Sequence, residues 1–255
     1  MLQIIIPMAG RGSRFRDAGY ETPKPFIPVY GLEMILFVMR NITPGVPHQF
    51  TLVALREANE RYGLEALARR QSPGSRVVLI DEVSEGPAMT VLSGWEGIDE
   101  DQPLLIANSD QWVAVSIDRL LEAAEGYDGA LLTMRDTDPK WSFVERDEAG
   151  GIVGIREKQP VSDEATVGVY FFQRAGDFRR SVEEMVAADD RVNGEFYVGP
   201  SYNYLVARGA KIATFNVGEI GEGMHGLGIP ADLDAFVAKG LGRELVPEYL
   251  EDSFE

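Results

Sequence analysis

No cysteine occurs in the 255 residues of the chain, and histidine occurs only twice. The first absence excludes a disulfide framework, a thiolate nucleophile and a zinc-thiolate site. The second leaves little material for a histidine general base. Long apolar runs are also missing, since no stretch approaches the roughly 18 residues of a membrane span. The apolar start, MLQIII, is cut short by Pro7 and has no basic region before it, so no secretion signal is expected. These absences together predict a cytoplasmic protein with no membrane partner. Positive charge is scarce: 24 lysines and arginines stand against 41 aspartates and glutamates, a formal net charge of -17. Such a field argues against non-specific nucleic-acid binding and against docking on an anionic membrane. No internal repeat and no Pro- or Ser-rich linker divides the chain.

Hydrophobic residues make up 45% of the chain, enough to bury a substantial core. The charge balance reverses at the start, where Arg11, Arg14, Arg16 and Lys24 outnumber Asp17 and Glu21. A local anion site in an acidic protein is one reading, and solvated surface arginines are the other. The reversal coincides with "PMAGRGSRF", residues 7 to 15, directly after the first apolar run. Gly10 and Gly12 could open a dinucleotide fingerprint, but its third glycine position holds Phe15. No Gly-Lys-Ser or Gly-Lys-Thr closes the stretch as in a P-loop.

Short, nearly continuous apolar runs recur at 2–6, 50–55, 76–80, 103–107 and 129–134, as expected of strands covered on both faces. Between them, residues 33–42, 57–70, 88–98 and 116–127 carry apolar residues at spacings of three and four. These predict helices, the last capped by Ser116. The alternation predicts an α/β fold with a mostly parallel, doubly wound sheet. After about residue 135 the pattern changes to a hairpin (141–147 with 151–158), a strand at 166–172, helices at 175–188 and 195–209, a strand at 211–217 and a helix at 230–240. The expected organisation is one domain over 1–240, with a first part at 1–135 and a smaller α+β lobe at 136–240, followed by an acidic tail at 241–255.

In an open parallel sheet, ligands bind beyond the carboxyl ends of the strands. Three loops should therefore share a crevice: "PMAGRGSRF", "DEVSEGPAM" (81–89) and "ANSDQ" (107–111). The first offers backbone N–H groups and arginines to phosphates. The third ends in Asp110, a carboxylate suited to Mg²⁺, although aspartate also caps helices and starts turns. Magnesium, Arg14 and Lys24 would together neutralise a triphosphate that the acidic chain otherwise repels.

"PMAGRGSRF" with "TPKPFIPV" resembles the signature of the sugar-1-phosphate nucleotidyltransferases, the nucleotide-sugar pyrophosphorylases. The resemblance continues through "EGPAMTVL", "NSD", "REKQP", "VGVYFF" and "NGEFY" to "GLGIPADL", nearly the whole chain. It implies a Rossmann-like, GT-A-like mixed sheet with a smaller acceptor lobe, and it makes the first part (1–135) nucleotide-binding and the lobe (136–240) acceptor-binding. It also implies that Ala9, Gly10, Arg11 and Gly12 approach the nucleotide, that Gly86 lies along the base, and that Arg14 meets the leaving phosphates. Lys24 would hold the phosphates in flight, and Asp110 would bind Mg²⁺. Lys158 would pair with the acceptor phosphate, while Glu157, Gly168 and Glu195 would line its organic part. Taken without the resemblance, Glu157 or Lys158 could face solvent, Gly168 could mark a bulge, and Glu195 could be a first-turn helix acid.

Two positions depart from the family pattern. Many members close their metal site with an Asp in "D-x-G-T", where this chain has Gly226; Glu222 is the expected substitute, ahead of His225 or water. "EGPAM" lacks the glutamine that some members place near the base. The resemblance implies transfer of a nucleotidyl group to a phosphorylated small molecule, such as a sugar 1-phosphate for surface polysaccharide synthesis. An acceptor phosphate has a second pKa near about 6, so it attacks already ionised and needs no general base. Phosphocholine or a phosphorylated amino acid is the alternative acceptor, and a choline group would favour an aromatic cage; Phe143, Tyr170, Phe171, Phe196 and Tyr197 could form one, although aromatics at strand or helix spacing are usually core. A non-catalytic regulator and a metal-dependent glycosyltransferase are rival classes. Members of the family the chain resembles often assemble as homodimers or tetramers, which makes a homo-oligomer one reading, while the sequence itself fixes no assembly.

Overall fold

The computed structural model describes residues 1–10 and 12–248; Arg11 and the last seven residues of the acidic tail lie outside them. Strand β1 (Leu2–Pro7) leads into the glycine loop and helix α1 (Ser13–Asp17). A 3-10 turn (Lys24–Phe26), a small hairpin of β2 (Pro28–Val29) and β3 (Leu32–Glu33), and helix α2 (Met34–Asn41) follow. Next come β4 (His48–Leu55), α3 (Arg56–Tyr62), α4 (Leu64–Gln71), β5 (Arg76–Ile80) and α5 (Pro87–Ser93). Strand β6 (Leu104–Ala107) opens into the Asp110 loop, and β7 (Gln111–Val113), α6 (Ile117–Ala123) and β8 (Gly129–Arg135) continue the chain. The second half contains β9 (Ser142–Arg146), β10 (Ile152–Glu157), β11 (Glu164–Phe172), α7 (Ala175–Ala187), α8 (Ser201–Ala207), β12 (Ile212–Glu219), β13 (Met224–Gly226) and α9 (Pro230–Ala238).

The central sheet is mixed. Strands β5, β4, β1 and β6 lie side by side in parallel, with β1 at the middle (Ile5 opposite Thr51 and Ile106). Antiparallel β11 follows, between β6 and β8 (Tyr170 opposite Ile106 and Leu131), and β12 runs parallel to β8 beyond it. All five early apolar runs are strands in one direction, as predicted, but β11 separates the fourth from the fifth. The β9–β10 hairpin branches from the start of β11, where Ala165 faces Phe143.

Period-2 alternation distributes each central strand over two cores. Ile4 and Ile6 pack into one with Phe50, Leu52 and α2, while Ile5 joins Val53, Phe172 and Phe178 of α7 in the other. Each such fully buried side chain contributes on the order of 2 kcal/mol before conformational entropy is subtracted. Ser116 caps α6 as expected, its hydroxyl accepting the Asp118 N–H at 3.2 Å.

Three local expectations change. The helix read over 57–70 is two, because Gly63 adopts a left-handed conformation (φ 63°) that ends α3 and begins α4. The helix read over 88–98 stops at Ser93. The helix read over 195–209 forms only from Ser201, because the backbone of Phe196 is already paired elsewhere: its N–H donates to Glu85 O (2.8 Å) and its carbonyl accepts from Ala88 N (3.0 Å). A further element went unread, the antiparallel pair of β7 with β13, which joins Gln111 to Gly226.

Candidate active site

The glycine loop leaves β1 at its carboxyl end, where the Met8 N–H is held by Val53 O at 2.8 Å. Gly12 is left-handed (φ 55°), and a Cβ there would stand 3.2 Å from Lys24 Cβ. The bare backbone thus lets the loop pass close to Lys24. Lys24 opens its 3-10 turn and extends Nζ to Asp110 Oδ2 at 2.8 Å. Asp110 is fixed through its main chain, whose carbonyl accepts the Leu227 N–H at 2.7 Å.

Two open chambers meet at this carboxylate. The first, about 270 Å³, is lined by Ala9, Gly10, Lys24, Gly86, Asp110 and Glu195. The second, about 450 Å³, is lined by Arg14, Asp110, Gln111, Trp141, Gly226 and Asp232. Asn108 and Asp110 belong to both. The crevice expected at the carboxyl ends of β1, β5 and β6 is therefore present, and its first chamber gathers residues named from five quoted segments. Arg11 lies outside the described residues. Gly12 faces a different hollow, behind the loop, with Tyr20, Phe26 and Tyr62.

Gly86 performs a joining role. Its φ is 124°, and a Cβ would stand 2.6 Å from both the N and the O of Phe196. Only glycine lets the N-terminus of α5 lie against the segment that carries Glu195 and Tyr197. Glu195 is not a first-turn helix acid but an exposed residue in that segment, with a carboxylate that accepts from the Tyr197 hydroxyl at 2.5 Å. The Lys158 ammonium donates to the same hydroxyl at 2.6 Å and lies 4.6 Å from the ring centroid. Burial and the Glu195 carboxylate push the Tyr197 phenol well above its ordinary range, so it stays a neutral relay between the two charges. Lys158 itself has φ 57°, a conformation that side-chain-bearing residues adopt at a cost of roughly 1–3 kcal/mol. Its N–H donates to Trp141 O at 2.8 Å, which ties it to the wall of the second chamber.

Glu157 is buried (6% exposed) and accepts a hydrogen bond from the Ser142 hydroxyl. Burial raises its carboxyl above the usual range, against the lowering effects of Ser142 and Lys158. The adjacent Tyr170 phenol is pushed up to about 12, chiefly by burial. Gly168 lines neither chamber. It sits at an irregularity of β11 with φ 76°, where any Cβ would run into the Asn108 amide. It shapes the site through Asn108, which lines both chambers.

Glu222 is exposed in the turn before β13 and lines neither chamber, so the structure does not bring it to Asp110. His225 is buried between Trp112 and Phe236 and lines neither. Of the aromatics considered for a cage, Phe143, Tyr170, Phe171 and Phe196 are core residues, and Tyr197 alone is part-exposed. Sequence reasoning did not find Gln111, Lys140, Trp141 or Asp232. Asp232 and Gln111 lay within or beside quoted motifs, but a first-turn helix acid and a strand residue carry no functional signal of their own.

The donor chemistry at Asp110 fits a hard cation. Its carboxylate lies under Gly228, where a Cβ would collide with Oδ2, so the space beside the oxygen depends on glycine. Among the described residues no three His, Cys, Asp or Glu side chains converge into a cluster that could hold a metal ion.

No curated protein matches the sequence significantly. Among solved structures, the fold resembles a nucleoside-diphosphate-sugar pyrophosphorylase from Vibrio cholerae RC9 with a TM-score of 0.78 and 25% identity, over 92% of this chain and 99% of that one. It also resembles a Bacillus anthracis protein described as a glucose-1-phosphate thymidylyltransferase, with a TM-score of 0.76 and 18% identity over 99% of both chains. The sequence matches the nucleotidyl transferase family over residues 3–192, which span β1, the glycine loop, Lys24, Asp110 and Lys158. The chain therefore belongs to the nucleotidyl transferase family, and it is a nucleotidyltransferase.

Proposed function

We propose that the protein is a Mg²⁺-dependent enzyme that transfers a nucleotidyl group from a nucleoside triphosphate to a sugar 1-phosphate, in the supply of surface polysaccharide precursors. Residues 1–135 take the nucleotide and 136–240 the acceptor. The observation that carries the reading is Asp110 at the junction of two chambers, with Lys24 on its carboxylate and Arg14 across the second chamber. An acceptor phosphate oxygen forms a bond to the α-phosphorus, and the bond to the bridging oxygen breaks to release pyrophosphate. Lys24 leaves Asp110 to hold the phosphates in line, while Arg14 takes up charge on the departing pyrophosphate. Magnesium, when bound at Asp110, neutralises phosphate charge. Glu157 and Glu195 accept hydrogen bonds from acceptor hydroxyls, and Lys158 pairs with its phosphate.

A sugar is favoured over phosphocholine because four of the five candidate cage aromatics are buried. The naming of the Vibrio cholerae neighbour as a sugar pyrophosphorylase points the same way. Pyrophosphate release, measured with Mg²⁺ over CTP, UTP, dTTP, GTP and ATP against sugar 1-phosphates, phosphocholine and phosphorylated amino acids, tests the reading. Turnover with a sugar 1-phosphate is expected. Lys24→Ala and Asp110→Ala should each lower it by about a thousandfold with an unchanged circular dichroism spectrum. Near-normal turnover in either variant would remove that residue from the mechanism.

A further inference from the structure

Helix α9 begins at Pro230, and its third residue, Asp232, turns its carboxylate back toward β13. A Cβ built at Gly226 would stand 3.4 Å from Asp232 Oδ2 and, among the described residues, meet no other heavy atom beyond its chain neighbours within 4 Å. The carboxylate of Asp232 thus occupies the space that an acidic side chain at 226 would reach. Asp110 and Asp232 line the same chamber, and β13 sets their separation, because Gly226 pairs with Gln111 and Leu227 holds the Asp110 carbonyl. Among the described residues the Asp232 carboxylate has no ion pair and makes no hydrogen bond, so beyond the dipole of the α9 first turn no side-chain or backbone partner accounts for its charge.

Gln111 gives an independent sign that a ligand belongs in this chamber. It lines the chamber, is 3% exposed, and accepts at Oε1 from Asn108 Nδ2 at 3.5 Å, yet among the described residues its Nε2 has no hydrogen-bond partner. A buried N–H left unpaired is unfavourable unless an acceptor arrives. An anion carried with a cation supplies one.

We propose that Asp232, projecting from α9, provides the second carboxylate for a divalent cation held by Asp110, and that the bare Gly226 and Gly228 are what let these two side chains share the chamber. The inference deepens the proposed function by assigning a ligand of its metal. Two monodentate carboxylates with water completing the octahedron are an ordinary Mg²⁺ shell. The acid comes from a helix rather than from the strand, a rearrangement that Gly226 makes sterically free.

The test uses the intact chain and Mn²⁺ alone, titrated with loss of its free electron paramagnetic resonance signal as the readout. Asp232→Asn should weaken Mn²⁺ binding about tenfold or more, and Glu222→Gln should leave it within about twofold of wild type. Adding Gly226→Asp to Asp232→Asn should restore binding to within about threefold, because the new side chain reaches the same space. Thermal melts without metal confirm that each variant is folded. Unchanged binding in Asp232→Asn, loss in Glu222→Gln, or no binding by wild type up to about 10 mM Mn²⁺ would overturn the proposal. Pyrophosphate release, run in parallel, separates this from the functional reading. Turnover with Asp232-independent Mn²⁺ binding sinks only the ligand assignment, whereas Asp232-dependent binding with no turnover on any pair sinks only the reaction.

Discussion

At the residue scale, Glu157 shows fold and function pulling in opposite directions. Its buried carboxyl titrates above the ordinary carboxylate range, so the stability it gives in the protonated form is present below about pH 4.5. That contribution is lost as pH rises through the folded value. Glu157→Gln removes the titration while retaining a hydrogen-bonding partner for Ser142. The variant should melt about 2–4 °C above wild type at pH 8, and the gap should close toward pH 4. Its KM for the acceptor should rise about tenfold, since an amide replaces a charged acceptor of hydrogen bonds. A variant that melts with wild type at both pH values would show that burial does not govern this group. Much of this site was legible in sequence. Ala9, Gly10, Lys24, Gly86, Asp110 and Glu195 were read from scattered motifs and line a single chamber. Asp232 was not legible, because an acid three residues into a helix already has a local explanation in the helix dipole.

At the element scale, the joint between α5 and the 195–197 segment depends on the absence of one methyl group. Gly86→Ala places a Cβ 2.6 Å from two backbone atoms of Phe196 in a conformation that disfavours side chains. It should cost about 3 kcal/mol in chemical denaturation and weaken both substrates. Gly209→Ala is the control, since Gly209 also has positive φ (88°) but, among the described residues, no heavy atom beyond its chain neighbours within 4 Å of its Cβ position. It should cost about 1 kcal/mol. Equal losses would show that strain, not the close approach, sets the penalty at Gly86. The elements themselves divide by what a linear pattern encodes. Apolar runs located the buried strands, including β11, which is buried at all but its first position. They did not encode direction, because a covered strand is continuously apolar in either sense. The β7–β13 pair was invisible for another reason, three residues per strand being too few to show alternation.

For the whole molecule, a charge of -17 opposes the approach of a polyanionic substrate, while Lys24, Arg14 and Lys158 attract it only at short range. Salt screens the distant repulsion first, with a Debye length of about 30 Å at 0.01 M and about 10 Å at 0.1 M. At fixed free Mg²⁺, kcat/KM for the nucleotide should therefore rise about twofold between those ionic strengths. A steady fall across the same range would mean that the local cations dominate the encounter.

The pairing of β7 with β13 also bears on how the protein is made. A ribosome delivers the glycine loop before the Asp110 loop, and the Gly226–Asp232 segment more than 100 residues after that. Leu227, which holds the Asp110 carbonyl, comes in that last instalment. A growing chain can thus assemble the middle of its sheet long before it can complete a cleft, and it meets its anionic substrates with a finished site only after residue 232 has been made.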